Sequence, residues 1–153
     1  MKNRFLIIWG YANEIILSTL LIMLACTIWG IADVASFVEK IANDSAALVC
    51  AVCLAAALAF FWTLYSKADT EFYRWLDEIN AFSVFTNASI YTVIVELLAT
   101  VMLILVKTYP SPTMNLIGGF LLLLAIINMV TLLKNIADLM KIHTTYTKIT
   151  KQT

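Results

Sequence analysis

Residues 116–133, LIGGFLLLLAIINMVTLL, decide the fold: eighteen residues without a charge, in which the one amide side chain is Asn128. At 1.5 Å rise per residue a helix of about 20 residues covers the roughly 30 Å of bilayer hydrocarbon. A strand reading would need period-two alternation and a closed barrel to satisfy its backbone, and no such alternation is visible. Working outward, three more apolar blocks appear, so the sequence predicts membrane helices over residues 5–31, 45–66, 84–106 and 116–140. Composition agrees: 62% of the 153 residues are hydrophobic, 13% are charged and the mean hydropathy is +0.90, far outside the soluble range. The expectation is an all-α membrane protein, a single domain of four transmembrane helices over residues 1–153.

The first block is too long for the apolar core of a secretion signal and lacks a small-residue cleavage pattern, so it is expected to stay attached. Formal net charge is zero, which gives no reason to expect a nucleic-acid partner. Orientation follows from the ten Lys and Arg residues. Lys2, Arg4, Lys67, Arg74, Lys134, Lys141, Lys148 and Lys151 flank one side and only Lys40 and Lys107 the other, which predicts both termini and the middle loop in the cytoplasm. Loops around Glu39 and around Pro110 and Pro112 are expected on the far side. Trp9, Trp29, Trp62, Tyr65 and Tyr109 fall near predicted helix ends, where amphipathic rings favour the headgroup zone.

Two acids lie inside spanning sequence. Glu14 and Glu96 sit roughly 14 to 18 Å from the cytoplasmic helix ends, near the midplane, and Asn128 reaches a similar depth on the fourth helix. An intramembrane carboxylate costs a few kcal/mol unless it is protonated, paired or wet, so each should face a bundle, an oligomer axis or a cavity. Two readings stand side by side. In one, Glu96 and Glu14, with Asn13, Asn128 and Thr100, form a proton or cation pathway or a gate. In the other, a protonated Glu96 bonds Asn128 or a neighbouring subunit and ties helices together.

On the second helix Ala47, Ala51, Ala55 and Ala59 repeat every four residues, a smooth face suited to close helix approach within the chain or between copies. Gly118 and Gly119 point to another close crossing or a kink. In the middle loop, residues 69–83, Phe72, Leu76, Ile79 and Phe82 recur at helical spacing among Arg74, Asp77, Glu78 and Asn80, which predicts an amphipathic segment. Its simplest form is an extension of the third helix; Phe72, Arg74, Trp75, Asp77 and Glu78 are its candidates for docking a cytoplasmic partner. The tail after Met140 is expected to be a short frayed end. Lys134 and Asp138, spaced i, i+4, should form a surface ion pair.

Cys50 and Cys53 match a C-x-x-C spacing, but inside an apolar helix nothing lowers a thiol pKa, so redox chemistry is not expected. His143, the one histidine, has no neighbouring ligand cluster. No Ser-His-Asp set, phosphate loop or HExxH motif occurs, and neither an enzyme nor a cofactor is expected.

The alanine-rich segment 45–61, the charged stretch after it and the mid-span acid of YTVIVEL, residues 91–97, together resemble the small four-helix inner-membrane proteins of bacterial phage defence, the RexB-like and KwaA-like proteins. The likeness implies a homo-oligomeric membrane sensor or ion-conducting pore acting with a cytoplasmic partner through segment 67–83 and the tail. A Glu early in the first helix, within Ala12-Asn13-Glu14, is similar to the opening of the small multidrug resistance transporters. That likeness implies drug/proton antiport. The acids within spanning sequence carry the alternative reading of function, a small proton-coupled secondary transporter using Glu14 or Glu96.

Overall fold

The computed structural model describes residues 2–150, excluding the side chains of residues 2–10, 50 and 51. Helix α1 spans Lys2–Trp29 and breaks at Gly30. Helix α2, Ile31–Leu48, runs through a π-helical turn, Val49–Leu54, directly into α3, Ala55–Ser66. A short α4, Glu71–Glu78, precedes α5, Phe82–Thr108, and the 39-residue α6, Pro112–Thr150. Four helical stretches are long and apolar enough to cross a membrane: Tyr11–Trp29, Ile31–Ser66, Phe82–Thr108 and Pro112–Thr150. The surface is inverted relative to a water-soluble protein. Leu20, Met23 and Leu24 of α1, Ile94, Leu97 and Ile104 of α5, and Ile126 and Val130 of α6 all face outward, as a lipid-contacting shell requires.

Four expectations are corrected. The stretch around Glu39 is helix, not loop. Val34, Ala35, Val38, Ala42 and Ala46 make one buried seam at helical spacing, and the charges that suggested a loop occupy the remaining faces. The tail beyond Met140 is not frayed: α6 continues to Thr150 because Leu139, Ile142 and Tyr146 pack with Leu64, Phe72 and Leu76 in a second core outside the main bundle. The middle segment does not extend α5. Asn80 adopts a left-handed φ of 57°, and the Ala81 and Asn80 N–H groups donate to the Leu76 and Asp77 carbonyls at 2.9 and 2.8 Å. This Schellman closure ends α4, with asparagine in the position glycine usually holds. Asp138 pairs with Lys141, three residues ahead of it, at 3.5 Å rather than with Lys134, four residues behind it.

Helices α5 and α6 run antiparallel through the centre. A Cβ on Gly118 would come within 2.7 Å of Val106 Cγ2, and one on Gly119 within 2.9 Å of Val38 Cγ2 and 3.3 Å of Ile22 Cδ1. The glycine pair therefore makes the close crossing its sequence suggested, with Gly118 against α5 and Gly119 against both α1 and α2. Ser111 accepts from the Met114 N–H at 3.2 Å, and Pro112 takes the first helical position, where its missing N–H costs nothing.

Gly30 joins α1 to α2 at φ 89°, ψ 148°, a region closed to side chains with a Cβ. A Cβ there would meet nothing nearer than Asp33 Oδ2 at 4.0 Å, so the penalty is backbone strain alone. Gly30→Ala is expected to lower thermal stability in detergent by about 1–3 kcal/mol, a loss that trimming Asp33 to alanine leaves in place.

Candidate functional site

Glu14 and Glu96 lie inside the fold of a single chain. Glu14 is 6% exposed, Glu96 0% and Asn128 2%. Asn128 Nδ2 donates to Glu14 Oε2 at 2.6 Å, bridging α1 and α6. Glu96 is treated differently. Neither of its carboxyl oxygens has a hydrogen-bond partner, and Asn128 Oδ1 is likewise buried and unpartnered. The expected bond between Glu96 and Asn128 is thus not made: the amide is committed to Glu14.

The neighbouring hydroxyls do not help, for a local reason. Ser18 donates to the Glu14 carbonyl at 2.8 Å, Thr100 to the Glu96 carbonyl at 2.8 Å, Thr92 to Ala88 at 2.9 Å and Ser89 to Phe85 at 2.8 Å. Each spends its proton on its own helix four residues back, as serine and threonine do in apolar helices. Thr100 is therefore buried beside the acids without serving them. Asn13 points outward and is exposed, because adjacent helical residues diverge by about 100°.

Two residues that the sequence did not single out complete the cluster. The rings of Tyr11 and Tyr91 meet at a centroid distance of 4.2 Å, tilted by 35°, tying α1 to α5. Both hydroxyls are buried and unpartnered, and both rings lie within electrostatic reach of the Glu14 carboxyl. A signal for the first is present: Tyr11 precedes Glu14 by three residues and Ser18 follows it by four, all on one helical face. Tyr91 carries no such signal, since its pairing depends on how α1 meets α5. The π-helical turn runs past the same region, with Cys53 within electrostatic reach of Glu96. Such turns are frequent at functional positions. Cys26 and Cys53 are free thiols, and Cys50 lies outside the described side chains.

Five of the six buried unpartnered polar atoms among the described residues lie on α1, α5 and α6: Tyr11 Oη, Tyr91 Oη, both Glu96 oxygens and Asn128 Oδ1. Buried polar groups are normally satisfied, so each of these atoms stands out from the rest of the interior. Among the described residues no three His, Cys, Asp or Glu side chains converge.

The remaining candidates separate. Ala47, Ala55 and Ala59 face outward, and Ala51 lies outside the described side chains; within the chain, Ala42, Ala46 and Ala57 fill the buried side instead. Phe72 is buried under α6, edge-on to His143 at 4.6 Å, and Trp75 is half-buried against Tyr146 at 5.2 Å. Only Arg74, Asp77 and Glu78 of that set remain exposed.

Replacing Asn128 by leucine leaves the buried Glu14 carboxyl without its donor and should cost about 1–3 kcal/mol. The double replacement Glu14→Leu with Asn128→Leu should recover most of it, because removing both partners of a buried bond is nearly neutral. Thermal denaturation of the four proteins in one detergent checks this; an additive double mutant would show that the bond contributes nothing.

Comparison with protein-family models, with curated proteins and with solved structures found no match, so function has to be read from the residues themselves.

Proposed function

We propose that this chain takes up and releases a proton within the membrane at Glu96, with the Glu14–Asn128 pair as a second polar station, and so works as a small proton-coupled secondary transporter. The observation that carries the reading is the wholly buried, unpartnered Glu96 carboxyl. A group left so costs stability that a purely structural residue has no reason to impose. The need to hide midplane acids favours self-association when the sequence is read alone, but one chain hides both. In the orientation set by the positive charges, with both termini and α4 in the cytoplasm of a bacterial inner membrane, the Tyr11–Tyr91 pair stands on the cytoplasmic side of the acids. Its two hydroxyls are placed to relay or gate a proton.

Infrared difference spectroscopy of the reconstituted protein across a pH jump tests this without knowledge of a transported substrate. A carboxylic-acid C=O band should appear and vanish with pH and be missing from Glu96→Gln. A spectrum with no titrating acid band, or one unchanged in the variant, would refute the reading.

The exposed face of α2 and α3 supports a second one. Lys40 and Asp44 lead into Ala47, Ala55 and Ala59, all open to the surroundings. A parallel second copy could set its Asp44 against Lys40 while the alanines let the helices approach. On this reading the protein is an oligomeric membrane sensor or pore, as the phage-defence likeness implies, with exposed Arg74, Asp77 and Glu78 meeting a cytoplasmic partner. Native mass in detergent distinguishes the two, since Ala55→Phe should dissociate such an oligomer and leave a monomeric transporter untouched.

A further inference from the structure

A cavity of about 740 Å³ opens between the end of α3, the first turn of α4 and the long extension of α6, a volume typical of small-molecule sites. Its walls grade from one chemistry to another. Phe60 and Ile136 line the part next to the spanning segments, and Lys67, Glu71 and His143 line the outer part. Trp62 and Tyr65 are exposed on α3 between these levels, their rings 5.8 Å apart, and such rings mark the headgroup zone of a bilayer. An apolar wall continuous with hydrocarbon and a charged wall at headgroup depth together describe the shape of an amphiphile.

The charges specify which one. Lys67 and Glu71 both line the cavity, yet they are not paired with each other. The ion pair found among the described residues is Lys141 with Asp138, and Arg74 is turned away to donate from Nε to the Asp69 carbonyl at 3.0 Å. The two residues are four apart, but α3 ends at Ser66 and α4 begins at Glu71, so they share no helical face on which to close. A cation and an anion that line one cavity without pairing complement a ligand that carries both signs. The Tyr73 phenol is neutral at physiological pH, and burial raises its pKa further, so it adds a hydroxyl without charge.

We infer that this cavity binds a zwitterionic phospholipid bearing a protonated primary amine: its phosphate sits on Lys67 with the His143 N–H, its ammonium on Glu71, and its upper chain lies along Phe60 and Ile136. The site is independent of Glu96, and occupying it would fasten α4 and the α6 extension to the end of α3. The whole chain purified in detergent, given phosphatidylethanolamine, phosphatidylcholine or phosphatidylglycerol and read by native mass spectrometry, tests it. Phosphatidylethanolamine should be retained best. Lys67→Gln and Glu71→Gln should each lower its retention about 10-fold or more, the loss expected for one charge-assisted bond, while Glu96→Gln retains it fully. Both side chains are exposed, so their loss should leave the melting temperature of the lipid-free protein unchanged. Combining Lys67→Glu with Glu71→Lys should restore part of what either reversal removes. Equal retention of phosphatidylglycerol with no effect of Glu71→Gln would overturn the proposal in favour of a simple anion site. Equal retention of phosphatidylcholine would overturn the amine contact, and retention of no lipid would overturn the site.

Discussion

Replacing Glu96 with leucine is expected to make the protein more stable and inactive at once. The side chain is 0% exposed and neither oxygen is bonded, so the native state carries the full desolvation penalty of a carboxyl group. Leucine fills a similar volume without that penalty, and exchanging a buried polar group for an apolar one of like shape is neutral or favourable. Thermal stability in detergent should rise by about 1–3 kcal/mol. Proton movement into liposomes holding a pH-sensitive dye should fall by about 100-fold or more, the usual share of a positioned proton-transfer group. Glutamine should match leucine in activity but not in stability, because its amide leaves more polar atoms unpaired. A less stable Glu96→Leu would mean that the carboxyl is partnered in the native state, and the argument from its isolation would fail.

Gly119→Val is expected to loosen three helices at once. The added carbons would enter the space of Val38 Cγ2 and Ile22 Cδ1, which lie only 2.9 and 3.3 Å from where a Cβ on residue 119 would stand. Val38 is a stiff, β-branched neighbour with no rotamer to which it can easily retreat. Overpacking of this kind costs about 1–3 kcal/mol, and here it pushes α1 and α2 off α6 together. Because the Glu14–Asn128 bond joins α1 to α6, the damage should reach the acid cluster as well. Trimming the obstacle, as Gly119→Ala with Val38→Ala, should recover stability beyond the sum of the single effects. An additive result would show that the two residues do not meet.

Much of this fold is legible along the chain, and the places where legibility stops have physical causes. The two acids and Asn128 stand out because each is a polar residue well inside an apolar block, and position along a helix is a linear count of residues. The partner of Asn128 does not, since choosing between Glu14 and Glu96 depends on how α6 rotates against α1 and α5. Helix α2 is hidden in the sequence because Asp33, Glu39, Lys40 and Asp44 raise the local polarity, masking a seam of small apolar residues that becomes obvious only against α5 and α6. The tail looks frayed because its threonines favour no helix strongly. Packing of Leu139, Ile142 and Tyr146 on the aromatic face of α4 overrides that preference.

What the sequence by itself determined is the number of membrane-crossing blocks and the burial of two acids among them. Both follow from partition between water and hydrocarbon, which acts on each segment separately and needs no knowledge of its neighbours. Tertiary structure alone decided that Asn128 serves Glu14, that Tyr11 meets Tyr91, and that Glu96 is left with no partner. Those outcomes depend on helix rotation and crossing, set here by where Gly118 and Gly119 let backbones approach, and no single segment contains that information.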